Sequence, residues 1–212
     1  MPFNLSSLFK KNSRQEDEEI ILVSGLPRSG TSMMMRMLEA GGKPVVTDNI
    51  RTADESNLKG YYEFERVKKL REGDTQWLKD ARGKAVKVVS AHLEYLPADY
   101  RYRVIFMRRH MPEILASQRK MLKSRDEPDD QVSDEKLAEL FQKHLVQVEN
   151  WLSLQPNFEV IYVSYNDVLE NPEVNIQRIN EFLGGKMDTE KMLGVIEKNL
   201  YRNRLPAVEK PA

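Results

Sequence analysis

Between Gly25 and Ser32 the chain reads Gly-Leu-Pro-Arg-Ser-Gly-Thr-Ser. The hydroxyls of Ser29, Thr31 and Ser32 and the guanidinium of Arg28 are gathered within one short stretch, behind Pro27. Gly25 and Gly30 let the backbone curl and come close to a ligand. The chemistry of such a set is binding of a tetrahedral oxyanion, phosphate or sulfate. Backbone N–H groups and hydroxyls donate to it, and Arg28 presents a planar fork of donors. A second set lies in Phe106 to Leu122, where Arg109 closes an apolar run and Ser117 follows eight positions later on a helical pattern. An arginine at a helix start also suits an anion. Basic side chains that merely solvate a helix end are an equal alternative there.

These residues need strands and helices to hold them. Ile20 to Ser24 is short and apolar, as expected of a buried parallel strand. Gly30 to Ala40 reads as a helix ended by Gly41 and Gly42. Lys43–Val46, Ala85–Val89, Arg103–Met107 and Val160–Val163 read as further strands. Glu63–Lys79 and Pro112–Leu122 have helical patterns, as does a stretch from Ser133 to about Leu154 with acidic residues in its first turn. Val168–Leu183 reads as a turn at Asn171-Pro172 and a helix. Polar Thr47–Tyr62 and charged Ser124–Val132 read as loops, of the kind that walls a substrate. Strands alternating with helices predict an α/β fold: a single-domain, three-layer sandwich of P-loop type, with a mostly parallel sheet between helices. Ligands of such sheets bind beyond the carboxyl ends of the strands. The turn after the first strand and the turn after Arg103–Met107 then share one rim.

Composition excludes several classes. The chain has 212 residues, which suits one sizeable domain. It carries 33 basic and 33 acidic residues, so no global field favours nucleic acid or an anionic membrane. It has no cysteine, hence no disulfide, thiolate metal site or cysteine nucleophile. His92, His110 and His144 are scattered, without metal-ligand spacing, and no metal is expected. The first 19 residues read as a flexible tail, with Glu16 to Glu19 solvating the entrance to the first strand. They are unlike a secretory signal, and no run reaches membrane-spanning length, so a soluble cytoplasmic protein is expected. The domain is expected over 20–200, followed by a basic, proline-containing tail over 201–212.

The spacing Gly, four residues, Gly also matches the nucleoside-triphosphate P-loop, except that Thr31 stands where its lysine would be. Leu26 to Ser32 instead resembles the 5′-phosphosulfate loop of sulfotransferases that use 3′-phosphoadenosine-5′-phosphosulfate (PAPS). In that family an arginine closing a strand and a serine eight positions later hold the 3′-phosphate, which is the spacing of Arg109 and Ser117. Val86 to Pro97, with His92, is similar to the family's strand leading to a histidine and Leu-Pro. Val163 to Leu169, then Asn171-Pro172-Glu173 and Glu181 to Gly184, is similar to its tyrosine–acid–leucine turn and closing helix. The resemblance runs from about Ile20 to Gly184.

It implies transfer of a sulfuryl group from PAPS to a hydroxyl or amine, on a small-molecule or glycan acceptor, without a metal. Gly30, Ser29, Thr31, Ser32, Pro27 and Arg28 would hold the phosphosulfate, with Arg28 stabilising the charge on the leaving phosphate. Tyr165 matches the tyrosine that packs on adenine, and a core tyrosine is the alternative. The family's adenine-stacking tryptophan is replaced by Met33. A base must take the acceptor's proton. His92 matches the histidine of the cytosolic branch, although Ser90 stands where that branch has a lysine. Glu63 and Glu55 are rivals, because other branches draw a glutamate from this segment. Arg202 and Arg204 could close over the 3′-phosphate, or be a solvated tail. Two further readings are a P-loop kinase or nucleotidase, which the missing lysine disfavours, and a non-catalytic nucleotide-binding protein that keeps the fold.

Overall fold

Successive side chains from Ile20 to Val23 point into two different apolar layers, which makes this run a strand buried on both faces. In the computed structural model, which describes residues 18–48, 62–123 and 132–196, it is β1, Ile20–Gly25. Four more strands join it: β2 (Val45–Val46), β3 (Ala85–Lys87), β4 (Tyr102–Arg108) and β5 (Phe158–Ser164). The order across the sheet is β2-β3-β1-β4-β5, and every neighbouring pair is parallel.

Each face of the sheet has its own core. Ile21 and Val23 of β1 meet Ile105 and Met107 of β4 on one side. Helices α1 (Thr31–Ala40), α4 (Tyr165–Glu170), α5 (Pro172–Phe182) and α6 (Thr189–Gly194) cover that side with Met34, Val168, Ile179 and Met192. Ile20 and Leu22 meet Val104 and Phe106 on the other. There the cover comes from short 3₁₀ helices and from α3 (Asp134–Ser153), through Leu70, Leu78, Leu93 and Leu152. The remaining helix, α2 (Met111–Lys123), follows β4. A parallel sheet between two helical layers is the α/β sandwich expected from the sequence.

Several elements differ in detail from expectation. Glu63–Lys79 forms two 3₁₀ helices, Glu65–Glu72 and Gln76–Ala81, in place of one α-helix. Its buried residues Val67 and Leu70 are three apart, which suits the three-residue turn, and Gly73 at φ 86° stops the first helix. The strand at Ala85 ends at Lys87, and His92 lies on a 3₁₀ helix, Ser90–Tyr95. Arg109 follows β4 by one residue and is not part of it. Ser133 caps α3 by accepting from the Lys136 N–H at 3.3 Å. The chain breaks at Asn171-Pro172 into α4 and α5, and α6 was not anticipated. Glu19 is not solvated: it is 6% exposed and paired with the Arg103 guanidinium at 2.6 Å. Glu55, Arg202, Arg204 and most of the two expected substrate loops lie outside the described residues.

Candidate active site

Because all strands are parallel, the segments leaving their carboxyl ends gather on one rim. Gly25 is level with Met107, Val23 with Lys87, and Arg108 with Ser164. The sheet order places β1 at the point where the chain turns from the β2–β3 side to the β4–β5 side. In open parallel sheets a crevice forms at such a point.

The loop after β1 fits tightly into this rim. A Cβ on Gly25 would fall 2.4 Å from the Met107 carbonyl oxygen and 2.7 Å from Ser29 Oγ. A Cβ on Gly30 would fall 2.4 Å from Tyr165 Cδ2. Both glycines have positive φ, 135° and 100°. Ser29 is buried and donates its hydroxyl to the Leu26 carbonyl at 2.7 Å, which closes the turn. Thr31 and Ser32 open α1, so the first N–H groups of that helix face the loop. Arg28 sits in the left-handed region at φ 71°.

The Arg28 side chain reaches the second set of residues. Its Nε donates to Ser117 Oγ at 2.9 Å. Arg109 approaches the same residue from the other side, with Nη1 donating to the Arg28 carbonyl at 3.2 Å. Arg109 Nε donates to Glu113 at 2.8 Å, and the guanidinium lies 4.4 Å over the Tyr165 ring. Tyr165 is 7% exposed and lies in the core between Gly30 and Arg109. Its burial pushes the phenol above its ordinary pKa, so it stays neutral. The fold thus brings Arg28, Gly30, Arg109, Ser117 and Tyr165 into one connected cluster.

Sequence reasoning missed the residues that hold this cluster. Glu113 is 1% exposed and accepts from Arg109 and from Asn166 Nδ2 at 3.0 Å. Asn166 in turn accepts from the His110 N–H at 3.3 Å. A glutamate four residues after Arg109 was the available signal, since the chain turns into α2 between them and such a turn brings residues of that spacing together. Asn166 beside Tyr165 carried none.

His92 and Glu63 stand on the β3 and β2 side of the rim. The Val88 N–H still donates to the Val23 carbonyl, at 3.0 Å, so the chain leading to His92 stays beside β1. His92 is half-buried, and its Nδ1 is buried without a hydrogen-bond partner among the described residues. Burial pulls its pKa below the ordinary value. Two residues earlier, buried Ser90 shares a 2.8 Å hydrogen bond with His144 Nε2 on α3. The Glu63 backbone carbonyl accepts from the Asp48 N–H and from Thr47 Oγ1. Its carboxylate lies 3.8 Å from Lys87 Nζ and 3.9 Å from Lys68 Nζ. Among the described residues no cluster of three histidine or acidic side chains could hold a metal ion, and no helix is long and apolar enough to cross a membrane.

A parallel α/β sheet with a glycine-bounded, arginine-bearing loop at its switch point defines the general class. The sulfotransferase domain family matches residues 18–204, and the chain belongs to that family; its class of enzyme is a sulfotransferase. No curated protein is similar enough in sequence to count as a relative. Among solved structures, a sulfotransferase from Mycobacterium tuberculosis H37Rv superposes with a TM-score of 0.55 at 13% identity, covering 89% of this chain and 75% of that one. The sulfotransferase domain from the curacin biosynthetic pathway gives 0.50 at 17%, covering 84% and 78%. The domain from the olefin synthase of Synechococcus PCC 7002 gives 0.50 at 17%, covering 84% and 77%. At these identities the likeness is one of fold.

Proposed function

We propose that the protein transfers the sulfuryl group of PAPS to a hydroxyl or amine of an acceptor. The observation that carries this reading is the loop itself: two glycines with no room for a Cβ, a turn closed by the Ser29 hydroxyl, the hydroxyls of Thr31 and Ser32 at the helix start, and Arg28 at its centre. Such a loop suits a phosphosulfate, in which no γ-phosphate calls for a lysine after the second glycine. Pro27 to Ser32 would hold the 5′ end, and Arg109 with Ser117 the 3′-phosphate.

In the reaction the S–O bond to the leaving phosphate breaks and a bond from the acceptor oxygen or nitrogen to sulfur forms. Arg28 stabilises the charge that grows on the departing phosphate oxygen. The acceptor's proton goes to a base. His92 suits that role, because its lowered pKa leaves the imidazole neutral and able to accept a proton at pH 7. Glu63 is the rival, with Lys87 and Lys68 beside its carboxylate.

The test begins with thermal unfolding. At one hundred times Kd, 3′-phosphoadenosine-5′-phosphate should stabilise the protein by about 2.7 kcal/mol, and ATP with magnesium should not. The reverse pattern would select the kinase reading. Transfer of labelled sulfate from PAPS to a cell extract should follow; binding without transfer would leave a non-catalytic protein. With an acceptor in hand, Arg28→Ala should lower turnover by about 10²–10³-fold. His92→Ala should remove the acidic limb of the pH–rate profile, and an unchanged limb would move the base to Glu63.

A further inference from the structure

We infer that Ser117 and Arg109 act on the loop through Arg28: they are positioning residues that hold the anion-binding loop in its shape, beyond any contact of their own with a ligand. The inference rests on the proposed use of this loop for a phosphosulfate.

Arg28 is held at both of its ends. Its backbone is left-handed at φ 71°, a conformation that a residue with a side chain keeps only when its surroundings impose it. Among the described residues with a Cβ, Tyr62 alone shares that sign of φ. The carbonyl of Arg28 receives Arg109 Nη1 at 3.2 Å, and its side-chain Nε donates to Ser117 Oγ at 2.9 Å. Both partners are interior groups: Ser117 is 5% exposed and the Arg109 side chain 8%. Their own positions come from elsewhere. Ser117 lies on α2, and Arg109 is fixed by Glu113 and by the Tyr165 ring. Glu113 is fixed in turn by Asn166, at the start of α4. The loop after β1 therefore takes its conformation from the segments that follow β4 and β5.

A residue that served only the 3′-phosphate would matter only to ligands that carry one. The proposed role predicts a wider effect. Binding of 3′-phosphoadenosine-5′-phosphate and of adenosine 5′-phosphate, which lacks the 3′-phosphate, would be measured by calorimetry on the full chain. Ser117→Ala should weaken adenosine 5′-phosphate by about tenfold, and 3′-phosphoadenosine-5′-phosphate by at least as much. Ser117→Thr, which keeps the hydroxyl, should restore both. A loss confined to 3′-phosphoadenosine-5′-phosphate would overturn the inference.

A second measurement needs no ligand. Amide hydrogen exchange of residues 26–30 should quicken in Ser117→Ala, while exchange in β4 and α1 stays as in the parent. Unchanged loop exchange would overturn the inference. Exchange raised equally in β4 and α1 would also overturn it, by making Ser117 a packing residue. If the parent protein binds neither nucleotide, the PAPS reading fails, and the exchange result alone decides the coupling.

Discussion

At the scale of residues, the tightest constraint lies at Gly30. Its φ is 100°, and an added Cβ would sit 2.4 Å from the Tyr165 ring. Gly30→Ala must therefore displace that ring and the Arg109 guanidinium stacked on it. The expected cost is about 1–3 kcal/mol from backbone strain alone, read as a shift of the urea midpoint, together with loss of nucleotide binding. A variant that unfolds and binds like the parent would contradict the geometry. The need for glycine was legible in the spacing of the loop. The reason for it was not, because Tyr165 is far along the chain and only the fold brings it to Gly30. Arg28 shows the same division. Its type and place could be read, but its bond to Ser117 depends on how α2 leaves the sheet.

At the scale of elements, α2 carries a buried acid in its first turn. Glu113 neutralises Arg109 where both are largely withdrawn from water. Glu113→Ala would leave that guanidinium buried without its counter-ion, and a loss of about 3–5 kcal/mol is expected in urea unfolding. Glu113→Gln, which keeps an acceptor, should lose less. A change under about 1 kcal/mol for alanine would mean that the pair is not stabilising. The strands and the longer helices were legible because their apolar periods are clear. The 3₁₀ segments after Phe64 were not: a pair of apolar residues three apart fits either kind of helix over so short a span. Helix α6 has only six residues, and its signal was no more than Asp188 before Thr-Glu.

At the scale of the whole molecule, a net charge of zero hides a directional response to acid. Burial lowers the pKa of His92, and lowers that of His144 against an opposing pull from Glu94. The unfolded chain takes up protons near pH 6.5 that the folded chain refuses, so their contribution to stability is complete above that pH and is lost as pH falls below it. Asp74, held low by Arg66, and Asp167, held low by Asn175, add losses only below their ordinary value of 3.8. The urea midpoint of the parent should therefore fall between pH 7.5 and pH 5.5. The double variant His92→Asn, His144→Gln should lose less over that interval; an equal loss would assign the response to other groups. The presence of three histidines was visible in the sequence, but which of them the fold withdraws from water was not.

The two borders of the sheet are unequal. β2 offers two residues and β5 seven, and among the described strands β5 is paired only with β4. Among the described residues, the long ladder open to a foreign strand seeking to extend the sheet therefore runs along Phe-Glu-Val-Ile-Tyr-Val-Ser. One charged residue interrupts that run: Glu159, whose side chain is 61% exposed and lies 3.5 Å from the Arg103 guanidinium. Its charge is what a foreign strand laid along this ladder would have to bury, on the side of the sheet away from β2.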